Sequence, residues 1–169
     1  MFQRIFYKTL CLIVGLCTLI PFRVHSQGIK RNLTPADIYR VQTTGDAHIS
    51  PDGKWIIYTL TSIDSATDKR NADVWMTSWD GNESIQLTNS PEGESNPRWS
   101  PDGKYISFTS SRSGGSNQIY LLNRQGGEAK KITSISGDLS DYAWSPDGKQ
   151  ILLTIKDSED TTSKKRISP

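Results

Sequence analysis

The chain has 169 residues, 34% of them hydrophobic and 22% charged, with a formal net charge of +2. That balance excludes a nucleic-acid binder, which needs a basic stripe or face. The two cysteines, Cys11 and Cys17, both lie near the N-terminus, so the rest of the chain has no disulfide framework.

Residues 1–26 read as a secretory signal peptide. Arg4 and Lys8 supply its positive start, residues 9–22 form an uncharged apolar run, and Val24 and Ser26 occupy the small-residue positions before a cleavage site at Ser26–Gln27. The run is shorter than the roughly 20 residues a membrane span needs, although an uncleaved N-terminal anchor is the alternative reading. Cleavage would remove Arg4, Lys8 and Arg23, leaving 143 residues with 17 basic and 18 acidic side chains. The basic balance of the whole chain is therefore mostly a property of the signal. The expected product is exported, periplasmic or secreted, with no membrane attachment beyond the signal.

Residues 27–44 form a lead-in with a short helix. Thr34 is a good N-cap, Pro35 suits the first helical position, and Asp37 suits the capping-box position, so a helix is expected to about Val41.

A repeat then begins. Ser50-Pro51-Asp52-Gly53-Lys54 recurs as Ser100-Pro101-Asp102-Gly103-Lys104 and as Ser145-Pro146-Asp147-Gly148-Lys149, at offsets of 50 and 45 residues. Pro sets the second position of a type I turn, Asp tolerates the third, and Gly takes the left-handed conformation that returns the chain to a strand. Each turn should join two antiparallel strands. Ile49, Trp99 and Trp144 precede the turns at matching positions. Ile56, Tyr58 and Leu60, then Ile106 and Phe108, then Ile151, Leu153 and Ile155 follow them with the alternation of strands having one buried face. Val74-Trp75-Met76 and Ile119-Tyr120-Leu121 mark third strands. Leu87-Thr88 and Ile132-Thr133 mark the ends of fourth strands.

The pattern predicts an all-β fold, a partial β-propeller of four-stranded blades. Blade one covers residues 45–95, blade two 96–138, and the start of a truncated blade three 139–169. The longer first repeat places an insertion in a polar loop around residues 62–72. Blades bury their faces against neighbours, so two and a half blades leave an open face and an open strand edge. A single bare aromatic ring forgoes about 4–6 kcal/mol of burial. The chain is expected to be the front end of a longer protein; a truncated frame, or a ring assembled from several short chains, are the alternatives.

The Trp-Ser-Pro-Asp-Gly-Lys repeat, with Thr109-Ser110-Ser111-Arg112-Ser113-Gly114-Gly115 after the second strand, resembles the propeller repeats of TolB-like proteins and of prolyl oligopeptidase family serine peptidases. Leu33-Thr34-Pro35-Ala36-Asp37-Ile38-Tyr39, then Gly45-Asp46-Ala47-His48-Ile49 before the first turn, then Arg70-Asn71-Ala72-Asp73-Val74-Trp75, is similar to the opening of the acylaminoacyl-peptidase and dipeptidyl-peptidase-like branch. The resemblance implies that the propeller gates access to an α/β-hydrolase domain following it in sequence, and packs on it. The parent would be a serine-type peptidase acting on peptide substrates. The alternative is a non-catalytic TolB-like envelope propeller that binds proteins.

No catalytic, cofactor-binding or metal-ligating residue is expected in this chain, and no cofactor. Gly93-Glu94-Ser95-Asn96-Pro97 comes nearest to a Gly-x-Ser-x-Gly elbow but ends in Pro. His48 is read as a structural strand residue. Asp52, Asp102 and Asp147 are explained by turn chemistry rather than metal binding. Residues 111–117 form a Gly/Ser-rich hairpin loop without a phosphate-loop ending. Asn32 and Asn82 match an N-glycosylation pattern, and Lys164-Lys165-Arg166 reads as a solvated tail.

Overall fold

A computed structural model describes residues 31–156. The signal segment, and the polar tail after Lys156 with its basic run, lie outside the described residues. Contacts divide the chain between Leu33 and Thr34, and the architecture below is that of the unit beginning at Thr34.

Thr34 opens a short helix, with its backbone amide and its hydroxyl both donating to Asp37 Oδ2 at 2.7 and 2.9 Å. The helix, Pro35–Arg40, is wound as 3₁₀ and buries no residue. With no apolar face to bury, nothing favours converting this short 3₁₀ segment into a longer α-helix.

Among the described residues, ten strands follow in three antiparallel sheets. The first sheet takes β1 (Thr43–Ile49), β2 (Trp55–Asp64), β3 (Lys69–Ser78) and β4 (Ser84–Gln86), in that order. The second takes β5 (Glu94–Trp99), β6 (Tyr105–Ser110), β7 (Gln118–Asn123) and β8 (Lys130–Lys131). The third takes β9 (Asp138–Trp144) and β10 (Ile151–Lys156). This is a partial propeller, each sheet built from consecutive hairpins. Glu94 and Ser95 pair with Ser110 and Thr109, so they open the second sheet instead of closing the first repeat. No helix among the described residues is long and apolar enough to cross a membrane.

The repeated turn has one geometry in all three copies. The Gly amide donates to the Ser carbonyl at 2.8–2.9 Å, and Gly53, Gly103 and Gly148 have φ of 68–69°. The Ser hydroxyl donates to the Asp carboxylate at 2.6–2.7 Å, and the Lys amide donates to the same oxygen at 3.1 Å. The first residue after the motif donates its amide to the Ser hydroxyl at 2.9 Å. Ser thus acts at both ends of the loop, as donor to Asp and as acceptor from the returning strand. The turns also meet: a Cβ at Gly103 would lie 3.6 Å from Pro51 Cδ, and one at Gly148 would lie 3.5 Å from Pro101 Cδ.

A fourth copy is concealed between β3 and β4. Ser78-Trp79-Asp80-Gly81-Asn82-Glu83 makes the same bonds: Ser78 Oγ to Asp80 at 2.6 Å, Asn82 N to Asp80 at 3.1 Å, and Glu83 N to Ser78 Oγ at 3.0 Å. Trp79 replaces the Pro, which hides the copy from a search on the full motif.

Two expectations change. The polar insertion is mostly strand: Thr61 to Asp64 pair with Ala72 to Lys69. Only a four-residue turn remains. Asp64 Oδ1 holds it by accepting from Ala66 N, Thr67 N and Thr67 Oγ1 at 2.7–2.9 Å. Polar side chains in a ribbon extending past the sheet body mimic a loop in sequence. Secondly, the buried face of β2 is that of Ile57 and Thr59, and Ile56, Tyr58 and Leu60 are only half-buried. Ile57 faces the second sheet, where it joins Val74, Met76, Trp99, Ile106, Phe108, Tyr120 and Leu122 in the main core. Period two was legible, but not which face meets the neighbour. In the third sheet Ile151 and Leu153 pack beside Ile119, Leu139 and Tyr142, while Ile155 is exposed.

Candidate functional site

The first strands of the three sheets converge, and polar side chains occupy the meeting line. Both β1 and β5 carry a register break, between Gly45 and His48 and between Ser95 and Arg98. Asp46 and Asn96 lie at corresponding places in these breaks, with φ of 49° and 52°. Asp and Asn tolerate this left-handed conformation better than other side chains. The bulges turn neighbouring side chains out of the ladder. Asn96 N donates to Asp46 Oδ2 at 3.4 Å, and Trp99 Nε1 donates to the His48 carbonyl at 3.1 Å.

Arg98 is the centre of this strip. Its guanidinium contacts the His48 ring at Nε2 and lies 3.7 Å from Asp141 of β9. Burial and the Arg98 charge hold the His48 pKa below its usual value, against the opposing pull of Asp46. A neutral ring accepts from Arg98, so the assignment places the ring proton on Nδ1. Tyr142 reaches across from β9 and donates to Asn96 O at 2.7 Å. Together Asp46, His48, Asn96, Arg98 and Asp141 offer charges of both signs and exposed hydrogen-bonding groups. They can bind or sieve a polar ligand. Among the described residues no nucleophile is hydrogen-bonded to His48.

The other weighed positions have structural partners. Ser95, in the Gly-x-Ser-x-Pro stretch, lies on β5 with its hydroxyl 2.8 Å from that of Thr109. Asp52, Asp102 and Asp147 hold their turns, and the Ser hydroxyl of each turn is the leading cause of its lowered pKa, which reaches about 2 for Asp52. Asn82 holds Asp80 within the concealed turn at 2.8 Å. Among the described residues no three His, Cys, Asp or Glu side chains gather as a metal group.

Sequence reading missed two arginines. Arg112, in the Gly/Ser-rich loop, folds inward over the rings of Phe108 and Tyr120 at 5.2 and 4.9 Å and bonds the buried Glu94. Arg124 lies over Trp55 and Trp99 at 5.5 and 5.4 Å and donates to Asp52 at 3.1 Å. Their signal was a lone cation just beyond a buried strand, which the surrounding turn residues obscure.

Residues 67–168 match the family described as the Tricorn protease N-terminal beta propeller domain. The chain belongs to this propeller family. Among curated proteins it is similar to the uncharacterized peptidase YuxL of Bacillus subtilis, 33% identical over 95 residues, which are 56% of this chain and 14% of that protein. It is also similar to dipeptidyl-peptidase 5 of Porphyromonas gingivalis, 31% identical over 117 residues, or 69% of this chain and 17% of that protein. The chain therefore spans about one-sixth of these relatives' length. Among solved structures, TolB from Acinetobacter baumannii shares 31% identity at a TM-score of 0.55, covering 68% of this chain and 27% of TolB. An acylaminoacyl peptidase from Pyrococcus horikoshii, 22% identical with a TM-score of 0.56 over 73% of this chain and 19% of its own, shares the fold. The Tricorn-type propeller described here thus has both peptidase and TolB relatives, in line with the resemblance carried by the Ser-Pro-Asp-Gly-Lys repeat.

Proposed function

We propose that this chain is the N-terminal propeller segment of an exported serine peptidase, gating peptide access to an α/β-hydrolase domain and packing on it. The family match, with relatives named as peptidases of which this chain corresponds to about one-sixth, carries the reading. The propeller segment contributes position and selection, and the hydrolase domain contributes the nucleophile. The polar strip of His48, Arg98 and Asp141 lies where the blades converge, and is the part of the segment suited to meeting a charged or polar peptide in transit. Residues 1–26 direct export.

The test is a fluorophosphonate probe applied to the 169-residue chain and to the product of the uninterrupted reading frame that contains it. Labelling of the longer product at a Gly-x-Ser-x-Gly serine, with the 169-residue chain unlabelled, supports the reading. A longer frame holding only further blades, unlabelled, refutes it.

A second reading has its own support. The chain is 35% identical over 71 residues to a TolB homolog of Chlorobaculum tepidum, and the Acinetobacter TolB structure is equally close in fold. On this reading the propeller binds envelope proteins without catalysis, and the unlabelled frame of blades is its expected result.

A further inference from the structure

A buried polar cluster beside the joint of the first two sheets lacks one donor. Asp73 of β3 is 8% exposed. Its Oδ2 accepts from Gln86 Nε2 at 3.1 Å, but its buried Oδ1 has no partner at hydrogen-bond distance, although the Ser90 backbone amide and the Glu94 carboxyl lie near enough to act on the Asp73 carboxyl. Two residues earlier on the same face of β3, Asn71 donates Nδ2 to Ser90 O at 2.7 Å. Its Oδ1 is likewise buried and unpartnered. Buried acceptors are normally satisfied, so two neighbouring exceptions require a cause.

Glu94 of β5 completes the cluster and is 1% exposed. Both its oxygens are taken. Oε1 accepts from Arg112, and Oε2 accepts from Thr88 Oγ1 at 2.6 Å. The charged groups that act on Asp73 are Glu94 and Arg112, and those that act on Glu94 are Arg112 and Asp73. β4 and the segment after it present only Gln86, Thr88 and the Ser90 backbone, while Glu92 is exposed and bonded to Ser90. Two buried carboxylates thus face one guanidinium, an uncompensated negative charge that a low-dielectric site does not tolerate.

We propose that Asp73 and Glu94 hold one proton between them, seated on Asp73 Oδ1, and that the protonated pair is a pH-sensitive clasp joining the first and second sheets. The proton supplies the missing donor on the side of the Glu94 carboxylate, which acts on Asp73, and cancels the excess charge. Glu94 cannot carry it without displacing Arg112 or Thr88. Burial is also the leading influence on both carboxyls and holds each above the usual range; the titration belongs to the pair. The folded state binds this proton more tightly than the unfolded chain. The clasp therefore contributes fully below the ordinary carboxylate pKa and is lost as pH rises through the pair's raised value.

The experiment compares melting of the 169-residue chain, Asp73→Asn and Glu94→Gln, between about pH 5 and pH 9, above the ordinary carboxylate range. The parent should lose Tm as pH rises. Asp73→Asn places a permanent donor at Oδ1, so it should abolish that slope and melt about 3–5 °C above the parent at the alkaline end. Glu94→Gln sets a second donor against Arg112 or Thr88, and should melt lower at every pH or fail to fold. A slope that persists in Asp73→Asn, failure of Asp73→Asn to fold, or tolerance of Glu94→Gln in its place overturns the proposal. So does a rise in the parent's Tm with millimolar calcium at alkaline pH, because a cation would then be filling the cluster.

Discussion

The two joints between sheets share a backbone plan and differ in chemistry. In the first joint Thr88 Oγ1 accepts from Val74 N at 2.8 Å and donates to ionisable Glu94 at 2.6 Å. In the second, Thr133 Oγ1 accepts from Ile119 N at 2.9 Å and donates to the neutral amide of Gln118, also at 2.9 Å. Gln118 then completes its own set with Ile135 N and O, both at 2.8 Å. Among the described residues, the first joint rests on eight buried hydrophobic residues and the second on three. At the second, Trp144 Nε1 donates to Ser107 Oγ at 2.9 Å, and the Tyr142 hydroxyl, which donates to Asn96 O, lies 2.9 Å from the same Ser107 oxygen. In both sheets a threonine just after the fourth strand is tied to a backbone amide of the third, and the partner of that threonine decides whether the joint responds to pH.

The largest separation of the joints should come from Phe108→Ala. Phe108 is fully buried, stacked on Tyr120 at 5.8 Å and capped by Arg112. Its loss should cost about 3–5 kcal/mol in denaturant unfolding, acting through the first joint. Ser107→Ala should cost less, about 1–3 kcal/mol, by leaving the Trp144 N–H without its acceptor and the Tyr142 oxygen without its hydroxyl neighbour. It should alter Trp144 near-UV dichroism while leaving the first joint's amide protection intact. Failure of that selectivity would show that the joints melt as one unit. Arg124→Ala removes a partly exposed cation from Trp55, Trp99 and Asp52, and should cost below about 1 kcal/mol after screening. The smallest effect at any one site should come from acid. Asp52, Asp102 and Asp147 have lowered folded pKa values, so their contribution is full above the ordinary carboxylate range. It is lost as pH falls, towards about 2 for Asp52. An acid titration of Tm should fall on this limb alike in the parent and in Asp73→Asn, opposite in sign to the clasp.

Much of the architecture was legible because the Ser-Pro-Asp-Gly-Lys turn encodes its own geometry locally. Strand pairing, strand order and the sheet spacing follow from it and from period-two alternation. The concealed copy at Ser78 was missed because Trp79 occupies the Pro position, although the bonding residues Ser78, Asp80 and Gly81 were all visible. The polar strip was illegible for a different reason. His48, Arg98 and Asp141 are 50 and 43 residues apart in sequence, and only the convergence of first strands brings them together. Asp73 and Glu94 were equally hidden, since nothing local tells a carboxylate that its side of the strand will be sealed by the next sheet. The face of β2 that is covered depends on the same non-local fact.

The contact of Pro51 with Gly103, and of Pro101 with Gly148, has a consequence for how such an array can grow. The first and second copies each present a proline to the copy after, and the second and third each receive one from the copy before. The unit of duplication in the gene is therefore also the unit of docking in the protein. A newly copied blade arrives already carrying both halves of the rim contact that seats it. Arrays of different length can then arise by whole-blade steps, with variation left to positions such as Glu94 and Gln118 that give each joint its own character.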